Sequence, residues 1–177
     1  MKYLIILRGA SGVGKSRIAK QLAKKLGKGT AHVPLDITPF DMIIDYLKIP
    51  HIKMSNLSYD NAECLVRNFL KANFTVVTDH MFSRYTNKKS RLEKMIRIGK
   101  RNQAKVCIVE LHADLPTLES RARQRARHED VRTNYKKIEK RRKKFLRTKH
   151  KNAIRIDTKN KTINQIVKEI LKNIKAS

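Results

Sequence analysis

Acidic residues are scarce in this chain: 15 Asp and Glu stand against 42 Lys and Arg, a formal charge of +27 over 177 residues. Only seven of the acids are glutamates, so most cations lack a partner, and the Lys-with-Glu ion-pair surface of heat-adapted proteins does not account for them. Long apolar runs are missing as well. No stretch approaches the roughly 18 residues of a membrane span, and the first apolar run, Tyr3 to Leu7, is short for a secretory signal. A cytoplasmic protein with no membrane partner is expected. Cysteine is limited to Cys64 and Cys107, with no CxxC and no His/Cys cluster. This argues against a disulfide framework and predicts two buried thiols in a reducing compartment. There is no repeat and no low-complexity linker, and 177 residues suit one α/β domain with a real core.

Glycine is sparse, yet half of it falls in one octapeptide: Gly9-Ala10-Ser11-Gly12-Val13-Gly14-Lys15-Ser16. The segment fits G-x-x-x-x-G-K-[ST], a loop whose backbone N–H groups fold inward around a phosphate chain. In that pattern Lys15 supplies a cation to the β- and γ-phosphates, and the Ser16 hydroxyl is placed to ligate Mg²⁺. The flanks agree. Tyr3 to Leu7 reads as a buried parallel strand, and Ile18, Ala19, Leu22, Ala23 and Leu26 recur at helical spacing before Gly27. Strand, glycine loop and helix together present a helix N-terminus to bound phosphate, so the chain is expected to bind a nucleoside triphosphate.

Four further strands are predicted, at 31–35, 74–78, 106–111 and 153–156. The proline in the first of them, Pro34, weakens that assignment. Helical patterns occupy 61–71, 87–100, the stretch from Pro116 toward Ala126, 134–149 and 162–174, and Phe40 to Leu47 is amphipathic. Strands interleaved with helices predict a doubly wound, five-stranded parallel sheet.

Asp79 follows an apolar strand at the sheet end where ligands bind in such folds. It is a candidate for the Mg²⁺ shell or for orienting an acceptor hydroxyl, with an ordinary loop aspartate or helix cap as the alternative. His80 is more simply structural or exposed. Asp36 also ends a strand and is the candidate general base toward a hydroxyl, against a capping role for the segment that follows. Asp41 and Asp45 are expected to face solvent. Arg121, Arg123, Arg125 and Arg127 alternate, so that Arg121 and Arg125 share one helical face. That face is a candidate to counter charge on a transferred phosphoryl group, as part of a basic lid at about 117–151. A solvated basic face is the competing interpretation.

The phosphate loop, the strand ending Val77-Thr78-Asp79-His80, the run Val109 to Ala113 and the spacing Arg121-x-x-x-Arg125 together resemble the small P-loop kinases. The likeness is greatest to the polynucleotide kinase, zeta toxin and chloramphenicol phosphotransferase-like group. The resemblance implies a P-loop NTPase fold with strand order 2-3-1-4-5, ATP with Mg²⁺, Asp36 as the acceptor-side base, and Arg121 or Arg125 as lid contacts. It also implies Asp157 and Thr158, just before the last helix, as neighbours of the nucleotide. The segment after Asp36 departs from any one acceptor signature, and His80 stands where several relatives carry a second acid.

Charge bears on the acceptor. Residues 83–151 carry 24 Lys/Arg and 7 Asp/Glu, a net +17, a field that attracts polyanions. Tyr135 and Phe145, the aromatics of its second basic helix, are placed for packing, which favours phosphate contacts over base stacking. The leading expectation is an ATP-dependent kinase acting on a nucleic-acid hydroxyl, RNA or DNA. A kinase of a nucleoside, nucleotide or other metabolite is one alternative, and a nucleotide-gated nucleic-acid-binding ATPase is another.

Overall fold

Leu4, Ile5, Ile6 and Leu7 have no exposed surface because the strand they form, β1 (Tyr3–Gly9), runs through the middle of a sheet covered on both faces. The structure is a computed structural model and describes residues 1–35, 50–82, 85–86, 89–129, 134–148 and 150–176. With elements numbered along the chain, β1 pairs in parallel with β3 (Thr75–His80) and β6 (Lys105–His112). β2 (Thr30–Pro34) lies beyond β3, and β7 (Ile154–Asp157) beyond β6, again parallel. Two short segments, β4 (Tyr85–Thr86) and β5 (Lys89–Ser90), pair only with each other. The sheet order β2-β3-β1-β6-β7 is therefore the 2-3-1-4-5 order expected, once the five sheet strands are counted alone.

Strand alternation sorts the core into two layers. Ile5 and Leu7 point to one face, against Ile18, Ala19 and Leu22 of α1 (Lys15–Leu26) and Ile166, Val167 and Ile170 of α6 (Ile163–Ala176). Leu4 and Ile6 point to the other, against Ala62, Val66 and Leu70 of α2 (His51–Lys71) and Leu92, Met95 and Ile98 of α3 (Arg91–Arg101). Glycine permits the second contact at its tightest point. A Cβ on Gly99 would lie 2.6 Å from Val106 and 2.8 Å from Leu4, so α3 rests directly on the sheet.

Three expectations need correction. Helix α2 starts at His51, immediately after Pro50, ten residues before the predicted Asn61. Met54 and Tyr59 are buried on its inner face while Leu57 is exposed, and that mixture hid the helical period in the sequence. Helix α3 starts at Arg91, because Lys89 and Ser90 are taken up by the pairing with β4. Cys64 is exposed on α2; only Cys107 is buried, and both thiols are free. The amphipathic segment Phe40–Leu47 lies outside the described residues. Among the described residues no helix is long and apolar enough to cross a membrane.

A buried ion pair holds the β1–β6 seam at the end where the phosphate loop begins. Arg8 and Glu110 face each other in register, nearly fully buried, with Nη1 3.3 Å from Oε1. The guanidinium also donates to Thr148 Oγ1 at 2.8 Å and lies over the Phe145 ring. Glu110 accepts from the His150 N–H at 2.8 Å and from Arg155 Nε at 3.4 Å. Burial pushes the Glu110 carboxyl up, but the His112 ring 3.6 Å away, the His150 N–H and the Arg8 charge outweigh it and hold its pKa below the usual 4.5. Its stabilisation is thus complete above pH 4.5 and is lost as the pH falls from there through the folded-state value. Glu110→Gln is expected to lower the free energy of unfolding by about 3 kcal/mol at neutral pH. Urea titrations should show the deficit shrinking as the pH falls below 4.5 and the wild-type carboxyl takes up its proton; a deficit that does not change with pH would contradict this account.

Candidate active site

The phosphate loop joins β1 to α1 and owes its shape to glycine at two places. Gly14, the residue before α1, has φ +97°, a conformation in which a side chain is strained. At Gly9 a Cβ would sit 2.7 Å from both Leu111 O and Val13 Cγ1, so the loop lies flush against β6. No acid occupies the first turn of α1, which leaves the positive end of the helix and its unpaired N–H groups facing the loop. Lys15 Nζ folds back to donate to Ala10 O at 3.1 Å. The first turn of α1 also delivers Ser16, whose Oγ donates to Asp79 Oδ2 at 2.7 Å.

Asp79 reaches this position through sheet register. It lies opposite Leu7 on β1 and Pro34 on β2, is only 1% exposed, and has its second oxygen, Oδ1, 2.8 Å from His32 Nε2. A hydroxyl and a carboxylate oxygen side by side at the foot of a phosphate loop suit Mg²⁺, which takes one or two carboxylates plus phosphate oxygens and waters rather than an all-protein cage. The described residues contain no group of three or more His, Cys, Asp or Glu able to hold a metal.

Above the loop lies a cavity of about 770 Å³, walled by residues 11–18, by Arg121, Gln124 and Arg125 of α4 (Leu115–Glu129), and by Lys161 and Ile163 at the start of α6. That volume falls within the range of small-molecule sites. Arg121 is the most firmly placed of these cations. Its Nη1 donates to Val13 O at 3.3 Å and to Thr158 Oγ1 at 3.0 Å, and its Nη2 to Thr158 O at 2.7 Å. The Thr158 hydroxyl in turn donates to His112 O at 2.9 Å. Arg125, one helical turn on, lines the cavity. Asp157 and Thr158 do not line it; Asp157 is exposed and accepts from the Lys159 N–H at 2.9 Å. Lys159 also pairs with Asp114 at 2.7 Å, and this hydrogen bond, with those from Thr117, holds the Asp114 carboxyl well below the ordinary aspartate range.

The stretch expected to form a lid contains α4 and α5 (Tyr135–Leu146). Asn134 caps α5, its side chain accepting from the Lys137 N–H at 2.9 Å. Phe145 buries the other end of the helix against the core. Two arginines between them reach down to the sheet's upper edge: Arg141 Nη1 donates to Ser11 Oγ at 3.2 Å, and Arg142 Nε to Ala113 O at 3.2 Å. Arg123 joins the two helices through Tyr135, donating to its hydroxyl at 3.2 Å.

His80, next along β3, points to the opposite face from Asp79. Its Nδ1 lies 2.7 Å from the Tyr59 hydroxyl and accepts from the Phe82 N–H at 3.2 Å. Asp36, Asp41 and Asp45 lie outside the described residues; Leu35, which precedes Asp36, donates its N–H to Asp79 O at 3.4 Å. Sequence reasoning missed His32, Arg141, Lys161 and Ile163. The first depends on the β2–β3 register and the others on how α5 and α6 are turned, none of which has a local sequence signal.

Replacing Lys15 with Ala is expected to weaken binding of a fluorescent ATP analogue by about 10- to 100-fold, the worth of a hydrogen bond to a charged group. The melting temperature should move far less than the affinity, because the Lys15 ammonium bonds Ala10 O at the loop and takes no part in the hydrophobic core. Unchanged affinity would remove Lys15 from the site.

A comparison with curated proteins gives no match. Among solved structures the chain resembles the tunicamycin resistance protein of Deinococcus radiodurans, with a TM-score of 0.68 and 18% identity, covering 98% of this chain and 96% of that one. It also resembles the Mycobacterium tuberculosis APS kinase CysC, solved with AMPPNP and APS, with a TM-score of 0.65 and 14% identity, covering 98% of both chains. A chain of the Pnkp1/Rnl/Hen1 RNA repair complex aligns with a TM-score of 0.65 and 21% identity, over 83% of this chain but 45% of that one. At these identities the likeness is one of fold, an α/β P-loop NTPase fold. The model of the AAA domain family matches residues 4–148, well over half of the sequence, and the chain belongs to that family.

Proposed function

We propose that this protein transfers the γ-phosphoryl group of ATP to a hydroxyl, with a nucleic acid as the acceptor. The observation that carries the transferase reading is a cavity that sets Lys15 and Ser16 against the arginine face of α4, with the Ser16 hydroxyl 2.7 Å from the Asp79 carboxylate. ATP would lie along residues 9–16, its phosphates met by the loop N–H groups and Lys15. Mg²⁺, held by Ser16 with Asp79 beside it, would supply charge neutralisation across the β- and γ-phosphates. Arg121 and Arg125 approach from the other side, where charge on the phosphoryl group in transfer needs a fixed cation. Asp36 is assigned as the base that receives the acceptor proton.

The choice of a nucleic-acid acceptor is supported by α5. Seven of its twelve residues are Lys or Arg and one is acidic, and Arg141 brings that helix to Ser11 of the phosphate loop. A polyanion lying along α5 would thus end at the site of transfer. A small acceptor is the second reading, supported by the near-complete mutual coverage with an APS kinase.

Transfer from γ-labelled ATP with Mg²⁺ should label 5′-hydroxyl oligonucleotides, and Asp36→Asn should abolish labelling while ATP stays bound. Oligonucleotide binding should weaken with salt at a log–log slope of about −0.7 per neutralised phosphate for single strands. Label confined to a nucleoside or metabolite, with a shallow salt dependence, would replace the nucleic acid by the small acceptor. Label on neither, with ATP bound, would favour the nucleotide-gated binding protein.

A further inference from the structure

β2 contributes one polar side chain to the site that the proposed reaction has not used. His32 pairs in register with Val77, so its ring emerges on the same face of the sheet as Asp79, the diagonal neighbour across the ladder. The ring Nε2 is 2.8 Å from Asp79 Oδ1, while the Ser16 hydroxyl occupies Oδ2 at 2.7 Å. An ionised carboxylate only accepts, so Nε2 carries the proton and donates. Held at both oxygens from two different elements, β2 and α1, the Asp79 carboxylate has one orientation, and a buried group gains most from being fixed in advance.

We propose that His32 is a positioning residue for the metal side of the site: its N–H sets the rotation of the Asp79 carboxylate so that Oδ2 stays beside Ser16. The inference rests on Ser16 and Asp79 forming that metal side. His32 itself touches neither nucleotide nor metal in this account. Its effect is on how much Mg²⁺ strengthens nucleotide binding, which separates it from a residue that only supports the fold.

The test is a titration of Mg²⁺ against binding of a fluorescent ATP analogue, with a parallel measurement in EDTA. His32→Ala should raise the Mg²⁺ midpoint by about 10-fold or more, as loss of a partner to a metal ligand does, and should leave binding in EDTA unchanged. His32→Gln, which keeps an N–H donor, should recover most of the response. His32→Leu keeps bulk without a donor and takes the place of the alanine variant if that one fails to fold. A wild-type Mg²⁺ midpoint in the donor-less variant overturns the inference, and so does an equal loss of binding in Mg²⁺ and in EDTA. A wild-type protein that shows no Mg²⁺ response at all overturns the metal side of the proposed function, and this inference falls with it.

Discussion

A guanidinium buried at the end of a central strand needs a carboxylate, and the pair that results here governs much of the upper half of the molecule. Arg8 immediately precedes the phosphate loop, and Glu110 faces it across the β1–β6 seam. Buried pairs of this kind recover their desolvation cost only when their remaining donors and acceptors are met. Thr148, the His150 N–H and Arg155 meet several of them, and each lies on the segment between α5 and β7 or on β7 itself. One ion pair therefore ties the central seam to the edge strand and to the C-terminal end of α5. With Phe145 buried beneath it, α5 is fixed at its far end, and that sets where Arg141 and Arg142 come down on the sheet.

The opposite flank of the loop is organised by register. Parallel pairing places Asp79 level with Leu7 and Pro34, and alternation sends its carboxylate to the α1 side and the His80 ring to the α2 side. Ser16, one residue into α1, meets the carboxylate because Gly14 turns the chain into the helix at a positive φ. Backbone geometry thus brings together donors from β3, α1 and β2 that lie up to 63 positions apart in the chain.

The parts of this arrangement legible in the sequence were those written locally. The phosphate loop is a contiguous pattern with a steric reason for each glycine, and the strands adjoining it are unbroken β-branched or aliphatic runs. Alternation of those runs with helices was enough for a doubly wound parallel sheet; the strand order came from the family resemblance. The start of α2 was not legible because buried Met54 and Tyr59 share that turn of the chain with exposed Leu57. His32 gave no signal either. Its contact with Asp79 exists only after β2 and β3 have paired, and a histidine in an alternating strand looks the same whichever face it takes. The same holds for Arg141, one cation among many on α5 until the helix is anchored at Phe145 and Thr148. Thr158 was expected near the nucleotide; it does not line the cavity but holds Arg121, which does.

That clamp on Arg121 also bears on turnover. Its guanidinium is hydrogen-bonded to Thr158 and to Val13 O within the fold itself, so its charge is a fixed feature of the cleft. Under the proposed reaction such a cation would meet a diphosphate as well as a triphosphate, and only the part of its attraction that grows as charge develops in transfer would add speed. Discrimination between ATP and ADP would then fall to groups whose contacts change with the γ-phosphate, and so fixed a cation would slow departure of the spent nucleotide.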